Sequence, residues 1–228
     1  ELTIVKNAKY IPKSQQDIKE LLHKSGFLVD KSLKDDYEFN NLPDDIQDIA
    51  DSDEIKNSSV RICKLKVNNN QQALSNTIKV LQGIDINDFK SIRGAIMLSS
   101  RTRHSSILPI ETVFIDEDGG KSKVFIQTPY KQGGSMKRWL SISNRSIGHK
   151  LDALSKIADG LDTIHNHGIV HRDIKLENIV METNNDDSNA LICDFDTSRD
   201  LIGAFSNMTT TLAAIEFNGN KIGTIRYM

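Results

Sequence analysis

No run of about 18 apolar residues occurs anywhere in the chain, and the opening ELTIVKNAKY lacks the charged, apolar and small-residue regions of a secretory leader. Neither a membrane span nor a signal peptide is expected. Cysteine is almost missing. Cys63 and Cys193 are far apart and outside any Cys-x-x-Cys spacing, which argues against a disulfide framework or a thiolate zinc site and implies a reducing compartment. An excess of positive charge is lacking too: 29 Lys and Arg stand against 31 Asp and Glu, so the electrostatic footprint of a nucleic-acid binder is absent. The expected setting is the cytoplasm, or a host cytosol if the chain is a secreted effector.

What is present fits an ordinary folded protein, with 38% hydrophobic and 26% charged residues over 228 positions, enough for two lobes or a domain with an extension. SQQDIKELLHKSG predicts a helix over 14–25, with Ser14 as cap and Ile18, Leu21 and Leu22 on one face. From Asp35 to Glu54 there are nine acidic residues and no basic one, while Leu42, Ile46 and Ile49 are sparse; a solvated, partly helical face is expected. SSVRICKLKV alternates as a strand, with Val60, Ile62, Lys64 and Lys66 on one side and Arg61, Cys63, Leu65 and Val67 on the other. VNNNQQALSN reads as a polar insertion, and Phe89, Ile92, Ile96 and Met97 predict a helix over 87–99. SILPIETVFIDEDGGKSKVFIQTPY reads as a hairpin turning at DEDGG, and GGSMKRWL opens a short helix. Leu151, Leu154, Ile157, Ala158, Leu161 and Ile164 form an apolar stripe that predicts a long buried helix ending near Gly168. NALICDF is a short strand that ends on acidic residues. Strands with one helix, followed mostly by helix, imply two unlike lobes in an α+β arrangement.

The segment GIVHRDIKLENIV carries the chemistry. Phosphoryl transfer needs a carboxylate to orient a hydroxyl, cations for the phosphate charge and oxygen ligands for Mg²⁺. Asp173 can accept from the hydroxyl, Lys175 lies two residues on, and Asn178 can offer its carbonyl oxygen to a metal. Asp194 follows the apolar run LIC, a placement that holds a ligand at a strand end.

HRDIKLEN resembles the catalytic loop of the eukaryotic-type protein kinases. DFD at 194–196 is similar to the family's DFG, GTIRYM at 223–228 to the segment before its APE, and VFIQTPYKQGGSMKRWL to its fifth strand, hinge and following helix. The resemblance covers roughly residues 60–228. It implies a bilobal α+β kinase-like fold, with a small mostly-β lobe over 60–130 and a large mostly-α lobe over 131–228. Residues 1–59 form an N-terminal segment, either separate or part of the small lobe. A chain ending at Met228 leaves the large lobe incomplete at its C-terminus, which implies a fragment, a nicked chain or a fold-completing partner.

Under the resemblance, Asp173 is the catalytic base, Lys175 the γ-phosphate contact, and Asn178 and Asp194 the Mg²⁺ ligands. Lysine at 175 resembles the serine/threonine kinases. Arg172 matches the arginine that binds a phosphorylated activation loop, whose candidates are Ser198, Ser206 and Thr209 to Thr211. Thr224 matches a threonine that braces the base. Registering Gly133 and Gly134 on the post-hinge glycines puts Thr128 at the gatekeeper position and Pro129, Tyr130 and Lys131 in the hinge. Lys64 is the candidate for the third strand's phosphate-pairing lysine, with Ile62 at the family's alanine position and Lys66 as the alternative register. His171 is expected to pack on Phe195, Cys193 to be buried and His104 to be structural.

Three further departures set the alternatives. No glycine occurs between Gly26 and Gly83, so the glycine-rich loop that should cover the phosphates is missing. No glutamate lies between Glu54 and Glu111 to pair with Lys64, and Asp88 is the nearest acid. Asp196 stands where the family has glycine. The leading expectation is a Mg-ATP-dependent serine/threonine protein kinase acting on protein substrates, with an activating partner. The rival is a pseudokinase serving as a binding or scaffold module, and a small-molecule phosphotransferase stands third.

Overall fold

The computed structural model describes residues 15–25, 28–51, 53–56, 58–66, 78–88, 103–142, 144–195 and 198–200. The chain divides into two compact units, one of Pro12–Ile92 with Pro109–Tyr130 and one of Glu1–Ile11, Arg93–Leu108 and Lys131–Met228.

An antiparallel sheet organises the first unit. Its strands are β1 (Tyr37–Glu38), β2 (Val60–Leu65), β3 (Ile78–Asp85), β4 (Thr112–Asp118) and β5 (Lys121–Pro129), in the order β1-β2-β3-β5-β4. β4 and β5 form the expected hairpin. Gly119 and Gly120 turn it at φ 60° and 73°, the left-handed pair that a tight two-residue connection demands. α1 (Gln15–Ser25) is the predicted first helix and buries Ile18 and Leu22. α2 (Leu33–Asp36) is capped by Ser32, whose hydroxyl accepts from the Lys34 amide.

Both faces of this sheet are covered. On one, Cys63, Leu81, Phe114 and Phe125 pack with Tyr37 and Leu33, and the three rings stack at 5.3 and 5.2 Å. On the other, Ile62 packs with Leu42 and Ile46, and Ile49, Ile78 and Tyr130 close the cluster. Leu42 and Ile46 belong to the acidic stretch expected to be a solvated face. That expectation is corrected: α3 (Asp44–Ala50) and the residue pair before it lie on the sheet, with Leu42 5% and Ile46 7% exposed. Ile46 and Ile49 lie three apart on one helix side, Leu42 precedes the Pro43 cap, and strands remote in sequence supply their partners. α4 (Asp53–Lys56) follows and leads into β2.

The second unit is built on α5 (Met136–Ile142) and α6 (Ile147–Asn166). Two small sheets join them: β6 (Gly134–Ser135), β8 (Ile179–Met181) and β9 (Ala190–Ile192) in the order β6-β8-β9, and β7 (Ile169–Val170) with β10 (Arg199–Asp200). Trp139, Ile164, Ile169, Ile179, Met181 and Ile192 form the core. Gly133 is required here, because a Cβ would run into the carbonyl oxygens of Thr183 and Met181, and Gly134 turns the chain at φ 63°. The long helix is present, but its buried side is Ala153, Ile157, Gly160 and Ile164, while Leu151 and Leu154 are exposed. Gly160 decides the orientation. With no side chain it lets Ser106 and Ile192 approach to within about 3 Å of where a Cβ would stand.

The polar stretch at 67–77, the expected helix from Phe89 to Met97, Asp196 and everything from Leu201 on, including Ser206, Thr209 to Thr211 and Thr224, lie outside the described residues.

Candidate active site

β7 delivers the chain to the candidate site, and the backbone there leaves ordinary geometry twice. Arg172 has φ 69° and Asp194 φ 61°, the left-handed region that non-glycine residues seldom adopt. Strain of this kind persists where surrounding contacts over-determine it. Several such contacts are present. The His171 ring accepts from the Asp173 amide at Nδ1 (3.3 Å), which puts the ring proton on Nε2, where it donates to the Cys193 carbonyl at 2.9 Å. The ring also lies 4.7 Å from that of Phe195. His171 thus bridges the loop before Asp173 and the strand end that presents Asp194. It is 1% exposed, and burial holds its pKa below the ordinary imidazole value despite the hydrogen bond to Cys193.

A 3₁₀ turn, Leu176–Asn178, then folds Asn178 back on Asp173. The Asn178 amide nitrogen donates to the Asp173 carbonyl (2.9 Å) and to its carboxylate Oδ2 (3.0 Å). The Lys175 amine donates to the same Oδ2 at 2.8 Å. This hydrogen bond, more than any other influence, raises the Lys175 pKa. Both bonds from Asn178 to Asp173 engage the Asn178 side-chain nitrogen and use none of its Oδ1 acceptor capacity. The Cys193 amide donates to the Asn178 backbone carbonyl at 3.0 Å, which sets Asp194 one residue from that contact.

Asp173, Lys175 and Asn178 are therefore brought together around one carboxylate oxygen, with Asp194 on the adjoining strand end. An amide oxygen and a carboxylate suit Mg²⁺, which takes oxygen ligands and completes its shell with phosphate and water. Among the described residues no group of three or more His, Cys, Asp or Glu side chains could hold a metal. Burial pushes the Cys193 and Cys63 thiols up to about 12.

In the first unit, Thr128 and Pro129 end β5 and Tyr130 follows, its amide donating to the Ile78 carbonyl at 3.4 Å. Lys131 begins the second unit and pairs with Glu182 at 2.6 Å. Lys64, expected on the third strand, is on the second. The missing count is β1, hidden in the acidic stretch, and β3, which follows a polar run. Lys64 lies opposite Glu38 and Ile78, and its amine donates to the Asn41 carbonyl.

The register fixes what the third strand offers instead. Thr128 stands opposite Val80 and Ile126 opposite Gln82, so Ile78, Val80, Gln82 and Ile84 share the gatekeeper's face and Lys79 faces away. The Lys79 amine meets Glu111 at 2.6 Å, Glu111 accepts from Gln127 (2.8 Å), and Gln127 accepts from the Tyr37 hydroxyl (2.6 Å). Sequence reasoning missed this chain of contacts, which runs from the surface at Glu111 to the buried Tyr37 hydroxyl. Its signal was the alternation in IKVLQGID, overshadowed by the Asn/Gln-rich run before it.

The protein kinase domain family matches residues 56–227, well over half of the chain. The chain belongs to the protein kinase domain family. It is similar to a bifunctional serine/threonine-protein kinase/NEDD4-like E3 ubiquitin-protein ligase of Dictyostelium discoideum, 30% identical over 122 residues, 50% of this chain and 6% of that protein. Serine/threonine-protein kinase PLK4 of Drosophila grimshawi is 28% identical over 51% of this chain and 15% of its own length. Human NUAK family SNF1-like kinase 1 is 32% identical over 50% of this chain and 16% of its length. The kinase domain thus spans only a small share of each of these relatives. No described helix is long and apolar enough to cross a membrane.

Proposed function

We propose that this kinase domain transfers the γ-phosphoryl group of Mg-ATP to a serine or threonine hydroxyl of a protein substrate. The observation that carries the reading is the single Asp173 carboxylate oxygen held at 2.8 Å by Lys175 and 3.0 Å by Asn178. Bound Mg-ATP supplies the phosphoryl group and part of the charge neutralisation. Asp173 orients the acceptor hydroxyl and takes its proton, a role for which a fixed carboxylate suffices. Lys175, paired with Asp173 in this structure, would neutralise charge on the γ-phosphate, and Asn178 Oδ1 and Asp194 would hold the metal. The backbone at Pro129, Tyr130 and Lys131 offers the adenine edge its hydrogen bonds, with Thr128 beside it. Lysine at position 175, which resembles the pattern of serine/threonine kinases, supports a hydroxyl of that type as acceptor.

A second reading, a pseudokinase that binds without turnover, is favoured by one observation: the gatekeeper's face of β3 carries Gln82 and no lysine. Transfer of labelled γ-phosphate to Ser/Thr peptides and to the protein itself separates the two, using the full-length protein and its Asp173→Asn and Asp194→Ala variants. The kinase reading expects transfer that falls by about 10²- to 10³-fold or more in each variant. Nucleotide binding with no Asp173-dependent transfer establishes the pseudokinase.

A further inference from the structure

The chain between β1 and β2, where the family's glycine-rich loop would lie, is occupied by α3 and α4. α3 does not project into solvent. Leu42 and Ile46 pack on Ile62, with Ile78 and Tyr130 completing the cluster. Ile62 lies opposite Val80, which lies opposite Thr128, so this is the gatekeeper's face of the sheet, at its hinge end. Its apolar surface is the surface against which an adenine ring would stack. The segment is also fastened at its start: the Lys64 amine donates to the Asn41 carbonyl, the Asn41 amide donates to Glu38 at 3.1 Å, and Asn41 itself turns at φ 57°. Asp44, Asp45 and Asp48 are exposed, leaving an acidic outer side that does not favour a polyphosphate nearby.

We propose that residues 41–50 are an intramolecular cover over the adenine-bearing face, and that nucleotide binds only after Leu42 and Ile46 lift from Ile62 and Ile78. The proposal rests on the nucleotide-binding reading above and adds its regulation. A protein in which the competent state is a minor fraction shows an affinity reduced by that fraction, so a cover closed in about nine molecules of ten weakens binding about tenfold. Anything that draws the acidic side of α3 away, such as a basic partner surface, would then open the site.

The test titrates a fluorescent ATP analogue with Mg²⁺ into the full-length protein, wild type, Ile46→Asp and Leu42→Ala, with circular dichroism melts to confirm folding. Hydrogen exchange over residues 42–50 is followed with and without ATP. The proposal expects binding about tenfold tighter in Ile46→Asp and about threefold tighter in Leu42→Ala, and faster exchange over 42–50 when ATP binds the wild type. If Ile46→Asp fails to fold, Leu42→Ala and the exchange measurement decide. Unchanged, weaker or absent nucleotide binding in the folded variants overturns the proposal, as does ATP binding with 42–50 equally or better protected. Phosphate transfer distinguishes the two ideas. Tighter binding without Asp173-dependent transfer leaves the cover standing and removes the kinase reading, whereas Asp173-dependent transfer with unchanged affinities does the reverse.

Discussion

Asp173 accepts from two side chains at one oxygen, and both donors lie within five residues of it in sequence. Lys175 has the two roles that the proposal separates, a resting partner for Asp173 and a phosphate contact in transfer. Lys175→Met is therefore expected to lower kcat by about 10²- to 10³-fold with little change in the KM for a peptide substrate, as steady-state kinetics would show. At His171 the expected consequence is in stability. Its folded pKa is depressed by burial, so the unfolded chain takes up a proton first as pH falls below the ordinary value near 6.5. The contribution is present in full above that value and lost as pH drops toward the lowered folded one. A plot of Tm against pH from about 7 to 5 should accordingly be shallower for His171→Gln than for the wild type. The grouping of Asp173, Lys175 and Asn178 was readable because a single short turn brings them together. The His171 contact with Cys193, 22 residues away, was not, because no local pattern encodes it.

Among elements, the strand count shows how a local signal misleads. β2 alternates clearly and carries Lys64, so it stood as the lysine-bearing strand, while β3 was obscured by the polar run before it and β1 is only two residues long. Pairing register, not alternation, places Lys79 on the side away from Thr128. Lys79→Met is expected to cost no more than about 1 kcal/mol in urea unfolding, because Glu111 is exposed and keeps its bond from Gln127, and to leave nucleotide affinity unchanged. A specific loss of nucleotide binding would instead assign Lys79 the phosphate role expected of Lys64. The helix that enters the catalytic loop makes a similar point. Its periodicity was plain, but which side is buried depends on Gly160 admitting Ser106 and Ile192. Gly160→Val should therefore lower stability by about 1–3 kcal/mol in thermal or urea melts, while Ala158→Ser, at an exposed position of the same helix, should do little.

Across the whole molecule, the first unit is discontinuous in the chain, with Pro109–Tyr130 returning to the sheet begun upstream. Such an arrangement depends on long-range pairing, and the hairpin supplies it by adding β5 alongside β3. The second unit leaves Ile147, Leu151 and Leu154 at 74%, 59% and 52% exposure, three residues along one side of α6. An apolar row of this kind favours association. Leu151→Lys with Leu154→Lys should leave Tm unchanged in thermal melts, since neither residue contributes to the buried side of its helix.

Sequence by itself determined the family, the grouping of residues in the HRDIKLEN loop and the main strands and helices, because each rests on residues close enough to interact through a turn, a period or a short motif. Tertiary structure alone decided which face each side chain meets. It moved Lys64 to the second strand, turned Lys79 away from Thr128 and laid an acidic helix on the face of the sheet that carries Ile62 and Thr128. Those outcomes depend on register and on packing between segments tens of residues apart. Apolar residues at helical spacing state that a helix has a side to bury, but only the assembled sheet shows where it is buried.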